Sequence, residues 1–417
     1  MNRKHAIGIL SLGCPRNIVD SENVIGRLNV KGYPIVDIDK ADIAIINTCA
    51  FTEDAKQESI DAILDLIQLK KEGKLKKILV YGCLAQRYKE ALKKELPEVD
   101  AFVGKISLNH ELGRYPITPS HFVYLKICEG CVNHCSYCVI PKIKGKFTSL
   151  EEETVLKKVK AFDKEGVSEI NIIGQDITGY GLDLYGRPNL AGLVKKIAAS
   201  GPHVGWIRLL YLYPSRVNDE LLAVIRDTKN ICKYIDMPVQ HINDRILSAM
   251  NRKTAKRQIL GTLEKIRKNI PGVSLRTSII VGFPSETDKE FMELLDFIKG
   301  AKFERLGAFV YSREEGTKAH DLKKQVPREI KIERFNAVMA AQQEVSGENN
   351  RKFLGKTIKV LIDETGDGHY LGRSESDAPE VDGLVYVNAK KELRPGDFVN
   401  VEITDTLEYD LVGEAAL

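Results

Sequence analysis

Four of the chain's eight cysteines fall within eleven residues, Cys128-Glu-Gly-Cys131-Val-Asn-His-Cys135-Ser-Tyr-Cys138, and the last three are spaced Cys-x-x-x-Cys-x-x-Cys. Three thiolates at that spacing suit one face of an iron–sulfur cube and leave its fourth iron without a protein ligand. A cluster held by four cysteines mostly shuttles electrons, whereas an open iron can bind and reduce a substrate. Cys128 and Cys131 also form a Cys-x-x-Cys, so the run can be read as two zinc-binding pairs. Structural zinc sites normally separate their pairs by a dozen or more residues, and here three intervene. A disulfide cluster is the weaker alternative, because cysteine is only 8 of 417 residues. Cys128 then reads as a bystander and Cys232 as a small core hydrophobe.

The elements that must carry these residues are legible in the hydrophobic pattern. Up to about residue 115, apolar strands at 7–12, 43–47 and 77–81 alternate with amphipathic helices at 17–30, 53–71 and 86–96. That alternation predicts an α/β domain built on an open parallel sheet. Cys14, Cys49 and Cys83 each fall within a residue or two of a strand's end. The carboxyl ends of parallel strands share one edge, where ligands bind, so three thiols far apart in sequence are expected to meet. A lone cysteine there would read as a buried apolar residue. Three in the same topological position point to a second iron–sulfur cluster with an open iron. Gly13 and Gly82 are expected to clear space for it.

Length and composition set the frame. A chain of 417 residues, 43% hydrophobic and 29% charged, predicts a globular protein of two to four domains. No apolar run approaches the roughly twenty residues that span a bilayer, and no membrane role is expected. The N-terminus imitates a short lipoprotein signal ending at Cys14. Its apolar stretch is only eight residues long, with leucine where a small residue belongs, so it reads as the first strand of a cytoplasmic protein. Unpaired thiols and iron–sulfur chemistry both fit a reducing compartment.

The cysteine triad with Tyr137 just before its last member resembles the radical S-adenosylmethionine enzymes. With Ser-Leu-Gly-Cys14-Pro-Arg-Asn and Asn47-Thr-Cys49 ahead of it, the whole chain resembles the methylthiotransferases, which insert sulfur and a methyl group into an unactivated C–H bond. The resemblance implies two [4Fe-4S] clusters. The auxiliary one would be held by Cys14, Cys49 and Cys83, and the radical-generating one by Cys131, Cys135 and Cys138. S-adenosylmethionine would serve both as methyl donor and as radical source. No catalytic acid or base is expected, because removing a hydrogen atom needs no group of tuned pKa.

From 122 to about 343 the chain repeats strand then helix, with strands at 122–126, 169–173, 206–210, 234–237, 274–281 and 306–311. Six such units predict a partial barrel with its site at the carboxyl ends of the strands. There the resemblance implies that Gly174, Gln175 and Asp176 hold the methionine part of the cofactor and that Tyr137 lies against its adenine. Asp176 reads equally as a helix N-cap, and Gly282 as a turn that permits close approach. His241 and Arg313 follow barrel strands and are expected either to line the substrate opening or to be ordinary loop residues.

A charged helix at 328–349 connects to a tail with strands at 357–362, 384–387 and 398–403 among Gly, Asp and Pro turns, a small antiparallel barrel resembling a TRAM domain. The expected domains are 1–117, 118–348 and 349–417. Residues 351–417 carry eight Lys/Arg against fourteen Asp/Glu, a net −6, in a chain of net +4. Such a module does not attract phosphates and steers towards a basic partner, so nucleic acid is not expected and Glu380 and Asp382 are expected to bind substrate. The motif 372–383, with Pro238-Val-Gln-His241 and Tyr211-Leu-Tyr-Pro214, resembles the RimO branch of the family. That branch implies a basic substrate, the twelfth protein of the small ribosomal subunit, modified at the β-carbon of an aspartate. An electron donor such as flavodoxin or ferredoxin is implied as well. The alternatives are a tRNA adenosine methylthiotransferase and, from another class, an electron-transfer or cluster-carrier protein.

Overall fold

A computed structural model of the protein describes residues 4–105, 115–366 and 369–416. The first three residues of the signal-like N-terminus lie outside this range. Two compact units are formed, one from Met1–Thr118, Tyr124–Leu150 and Ser312–His320, the other from Pro119–Val123, Glu151–Tyr311 and Asp321–Leu417. Among the described residues no helix is long and apolar enough to cross a membrane.

In the first unit, β1 (Ile7–Ser11), β2 (Ile43–Thr48), β3 (Lys77–Gly82) and β4 (Ala101–Val103) form a parallel sheet in that order. The intervening helices are α1 (Pro15–Val30), α2 (Glu53–Lys71) and α3 (Cys83–Glu95). Thr52 caps α2 by accepting from the Ala55 amide, which satisfies a donor the helix itself cannot. The strand β4 was not foreseen, and α3 starts at Cys83 rather than near residue 86. Gly82 makes the second difference: its φ of +101° turns the chain from strand into helix with no intervening loop.

The chain continues through β5 (Phe122–Lys126), β6 (Cys128–Glu129), α4 (Ile140–Lys144) and β7 (Thr148–Ser149). β6 pairs with β7 and holds Cys128, which is fully buried. The side chains of Val139 and Ile143 enter the apolar cluster that contains Ala44, Ile46, Ile78, Val80 and Leu84. The cysteine loop and the N-terminal sheet therefore share one core, and burial of these side chains anchors the loop there.

The six-stranded sheet has the order β12-β11-β10-β9-β8-β5, with β8 (Glu169–Ile173), β9 (Trp206–Leu209), β10 (Ile231–Asp236), β11 (Ser274–Val281) and β12 (Arg305–Val310) running parallel. Its strands alternate with helices, as in the expected partial barrel. Cys232 lies within β10 and is fully buried. After the helix Arg328–Asn350, β13 (Thr357–Thr365), β14 (His369–Ser374), β15 (Val385–Asn388), β16 (Phe398–Thr406) and β17 (Leu411–Ala415) close a barrel of order β13-β14-β15-β17-β16. Two of its strands, β14 and β17, were not foreseen, and the β15/β17 pair is parallel rather than antiparallel. Gly372 and Gly413 interrupt those two strands, which hides them from a reading based on alternation.

Candidate functional site

All six cysteines of the two expected ligand sets fall in the first unit. Cys14 is the N-cap of α1, Cys49 directly follows β2 and Cys83 opens α3. A side chain on Gly13, whose φ is +91°, would stand 3.2 Å from Cys49 Sγ, and one on Gly82 would strike Asn47 Oδ1. These glycines therefore let the cysteine-bearing turns approach one another.

Asn17 ties the group together. Its Nδ2 donates to Leu12 O at 2.8 Å and Thr48 O at 3.4 Å, while Cys83 Sγ lies 3.9 Å from its Oδ1. The Ser59 hydroxyl bridges the Cys49 amide and carbonyl, at 3.0 Å each. Asn47, Ser21 and Tyr81 extend the polar network beneath, with Ser21 Oγ 2.9 Å from the Tyr81 hydroxyl.

Burial pushes the Cys83 thiol up to about 12 and also raises Cys49. At Cys14 burial is outweighed by Arg16, whose Nε donates to Sγ at 3.3 Å, so this thiol lies below its ordinary range. In the loop of the second triad, Cys131 Sγ accepts from the Asn133 amide at 3.4 Å, and burial pushes Cys138 up to about 12. Positive charge or a bound metal has to hold such thiols as thiolates.

Beside the triads sits a buried quartet of alternating charge. Lys126 Nζ pairs with Asp20 and with Glu129 at 2.7 Å, and Lys144 Nζ with Asp20 at 3.3 Å and Glu129 at 2.8 Å. Burial opposes these charges, but the lysines hold Glu129 down at about 2 and the carboxylates hold Lys126 above its usual range. Asp20 belongs to α1, while Lys126 ends β5, Glu129 lies in β6 and Lys144 ends α4, the elements that flank the second triad, so the quartet fastens one triad's segment to the other's.

The donor sets suit iron–sulfur clusters. All six are soft sulfur ligands, and in each triad the thiols lie close enough to influence one another electrostatically. Among the described residues no three His, Cys, Asp or Glu are arranged to hold a single metal ion. Thiolates around one tetrahedral ion, at about 2.3 Å each, would crowd far more closely than ligands spread over a cube.

The remaining expected residues are dispersed. Tyr137 is half-buried in the cysteine loop, in the first unit. Arg313 is exposed in the same unit and donates to His320 O at 3.0 Å. In the second unit, Gly174, Gln175 and Asp176 follow β8. The Gln175 amide is buried with neither Nε2 nor Oε1 bonded among the described residues, a deficit that a polar ligand such as the methionine part of S-adenosylmethionine would relieve. Asp176 is spent within the chain. It caps the turn at Thr178 and pairs with Arg216 at 2.7 Å, which is the capping alternative. The side-chain space over Gly282 is filled by Lys331, and its amide donates to Glu286 Oε2 at 3.0 Å, so the close approach there is made by protein. His241 is completely buried, with Nδ1 accepting from the Asn243 amide at 3.0 Å and Nε2 3.7 Å from Glu286. That leaves it no place on an open wall.

Asp382 requires the largest correction. It accepts from the Tyr234 hydroxyl at 2.6 Å, the Ala378 amide at 2.9 Å and Arg276 at 3.2 Å, with its side chain 2% exposed. Asp377 pairs likewise with Arg305, and Arg373 with Glu169 at 2.7 Å. These barrel residues lie towards the amino-terminal ends of β8 to β12. The 374–382 turn therefore seals the end of the barrel opposite its carboxyl edge, where conservation of structure rather than catalysis is at stake. Glu380 remains exposed, with φ +69°.

Sequence reasoning missed Arg16, the quartet and Asn171. The last is a fully buried residue of β8 whose amide has no partner among the described residues. Only Arg16 carried a local signal, its place two residues after Cys14.

Three segments match known families: residues 6–104 the Uncharacterized protein family UPF0004, 125–298 the Radical SAM superfamily and 354–416 the TRAM domain. Among solved structures, the chain resembles the radical S-adenosylmethionine methyltransferase TsrM from Kitasatospora setae, with a TM-score of 0.56 at 12% identity over 76% of this chain and 77% of that one. It also resembles the cobalamin-dependent S-adenosylmethionine radical enzyme OxsB, with a TM-score of 0.51 at 13% identity over 79% of this chain and 56% of that one. At such identities these likenesses establish the fold. Curated relatives are much nearer. The Ribosomal protein uS12 methylthiotransferase RimO of Clostridioides difficile is 47% identical over 98% of both chains, and that of Geobacter sulfurreducens 44% over 99% of both. With this identity sustained from end to end, the chain belongs to the RimO family of ribosomal protein uS12 methylthiotransferases.

Proposed function

We infer that the chain places a methylthio group on the β-carbon of an aspartyl side chain of ribosomal protein uS12. The observation that carries this reading is the seating of two cysteine triads on one apolar core, joined by a buried charge quartet, in a chain alike throughout its length to uS12-modifying relatives. In this reading Cys131, Cys135 and Cys138 hold the radical-generating [4Fe-4S] cluster, and Cys14, Cys49 and Cys83 hold the auxiliary one. With S-adenosylmethionine these groups supply a hydrogen-abstracting radical, a sulfur and a methyl group. The protein's share is positional. Val139 and Ile143 anchor the loop, the quartet sets its relation to α1, and the Gln175 amide and the backbone of Gly174 orient the cofactor.

The functional division follows 1–117 for the auxiliary site, 118–348 for the radical core and 349–417 for the tail. The acidic tail supports a basic protein substrate over tRNA. A low-potential donor of the flavodoxin or ferredoxin kind supplies the electron, in the cytoplasm. Mass spectrometry of uS12 and tRNA, each incubated with reconstituted enzyme, reductant and S-adenosylmethionine, tests the reading. The expected product is uS12 heavier by one methylthio group in place of one hydrogen. Methylthiolated tRNA beside unmodified uS12 would refute it.

A further inference from the structure

The second triad lies closer to solvent than the first. Cys131, Cys135 and Cys138 are all partly exposed, whereas Cys49 and Cys83 are buried. Two segments of the first unit, 139–150 and 312–320, support its loop. A side chain on Gly130, next to Cys131, would stand 3.0 Å from the carbonyl oxygens of Gly145 and Lys146, and the Ala319 amide donates to Ser136 O at 2.8 Å. Lys142 and Lys146 on the first segment and Lys318 on the second are exposed, as is Lys105, whose Nζ donates to Lys144 O at 2.5 Å. A side chain on Gly316 would stand 2.7 Å from Lys142 Nζ, so the two lysine-bearing segments touch beside the loop. Their charge is in excess. From Gly130 to Leu150 the chain has no acidic residue. Lys144 is buried and matched by Asp20 and Glu129, and Glu314 is buried against Arg87 and Lys56. Exposed Glu315 is offset by exposed Arg313 on the same segment. Among the described residues none of the four exposed lysines pairs with a carboxylate. Like charges gathered without partners repel one another, so folding gains nothing from the arrangement.

We propose that Lys105, Lys142, Lys146 and Lys318 form the docking surface for a small acidic electron-carrier protein, which delivers one electron to the cluster held by Cys131, Cys135 and Cys138. The inference rests on the radical reading above and assigns its electron a port of entry. In the transfer the carrier is oxidised by one electron and the enzyme is reduced by one, with no bond formed between the proteins. Redox encounters of this kind are small, burying less than about 1,200 Å², and transient. A few complementary charges therefore suffice to gather and orient the carrier, with no apolar face. The partial exposure of the three thiols lets it approach the group it reduces. The same charge turns away a basic ribosomal protein, so carrier and substrate do not compete for one surface.

The test uses anaerobically reconstituted holoenzyme and flavodoxin, an acidic carrier. Fluorescence anisotropy of labelled oxidised flavodoxin gives its affinity, and stopped-flow absorbance follows the reoxidation of reduced flavodoxin by the holoenzyme. At low salt, Lys142→Glu, Lys146→Glu and Lys318→Glu combined should weaken binding and slow the bimolecular transfer by about 10- to 100-fold, within the range of electrostatic steering. The gap should nearly close at about 1 M salt, where the screening length is roughly 3 Å. Lys105 is left unchanged because it holds the Lys144 carbonyl. The corresponding triple glutamine variant removes the charge without reversing it. It should fall between the two and decides the matter if the glutamate form loses iron. Dithionite, which needs no docking surface, should reduce all three forms at nearly the same rate. Equal binding and transfer of flavodoxin in all three forms overturns the proposal, and the surface then belongs to nucleic acid if tRNA binding is lost with the charges. Wild-type holoenzyme that dithionite reduces but that never cleaves S-adenosylmethionine would instead remove the radical reading beneath it.

Discussion

At the scale of single residues the molecule separates groups that meet a ligand from groups that only look exposed in the sequence. The six clustered cysteines are proposed to belong to the first kind. Anaerobically reconstituted enzyme is expected to bind about eight irons per chain, four per cubane. Replacing Cys14, Cys49 and Cys83 with alanine should halve the iron and spare S-adenosylmethionine cleavage. Replacing Cys131, Cys135 and Cys138 should halve the iron and abolish it. Full iron content in the first triple variant would exclude the auxiliary site.

His241 belongs to the second kind. Burial holds its imidazole down at about 4, with Glu290 and Glu293 opposing and Arg245 and Arg334 assisting that fall. The folded protein keeps it neutral where the unfolded chain, near 6.5, binds a proton. Its contribution to stability is therefore present above about pH 6.5 and lost as the pH falls towards 4. In urea unfolding of the holoenzyme between pH 5 and 6, His241→Asn should flatten the dependence by up to about 1.4 kcal/mol per pH unit, one proton's worth. An unchanged slope would mean that His241 titrates alike in both states.

At the scale of elements, two joints matter. α4 and the cysteine loop are built into the N-terminal core, so the two cysteine triads share a scaffold. The 374–382 turn joins the tail to the amino-terminal end of the barrel. Phe398 of β16 also packs edge-on against Trp206 of β9, with ring centres 4.9 Å apart and the phenyl ring over Gly205, where a side chain would collide with it. Trp206 is the chain's sole tryptophan, so intrinsic fluorescence reports this joint. Asp382→Asn leaves Arg276 and Tyr234 poorly matched and should destabilise by about 3 kcal/mol or more, seen as a lower urea midpoint for the change in Trp206 emission. Gly205→Leu should shift that emission already in the absence of denaturant. If both variants behave as wild type, the joint is not closed in solution.

At the scale of the whole molecule, the net charge of −6 on 351–417 changes meaning once the buried acids are set aside. Asp363, Asp377 and Asp382 are matched by arginines within the second unit and contribute little to an outward field. The exposed Glu402, Asp405 and Glu408 remain to attract a basic protein, over a range of roughly 10 Å at 0.1 M salt. Changing all three to lysine should slow uS12 association several-fold at low salt and far less at high salt, with the thermal midpoint nearly unchanged. Association that ignores both salt and these charges would mean that the tail does not steer the substrate.

The grouping of the cysteines, the parallel-sheet and partial-barrel architecture and the acidic character of the tail were legible in the sequence, because spacing, strand–helix alternation and composition are local properties. Topology alone brought Cys14, Cys49 and Cys83 to one edge, since parallel strands share their carboxyl ends. Tertiary structure decided which charges are available. Asp382 and Glu380 look alike in the sequence, but only Asp382 has Arg276 and Tyr234 brought against it from strands over a hundred residues away. The same holds for Asp176, claimed by Arg216, and for Gly282, covered by Lys331. Burial and pairing are non-local: a carboxylate's function depends on what the fold places within about 4 Å of it, and no window of neighbouring residues contains that information.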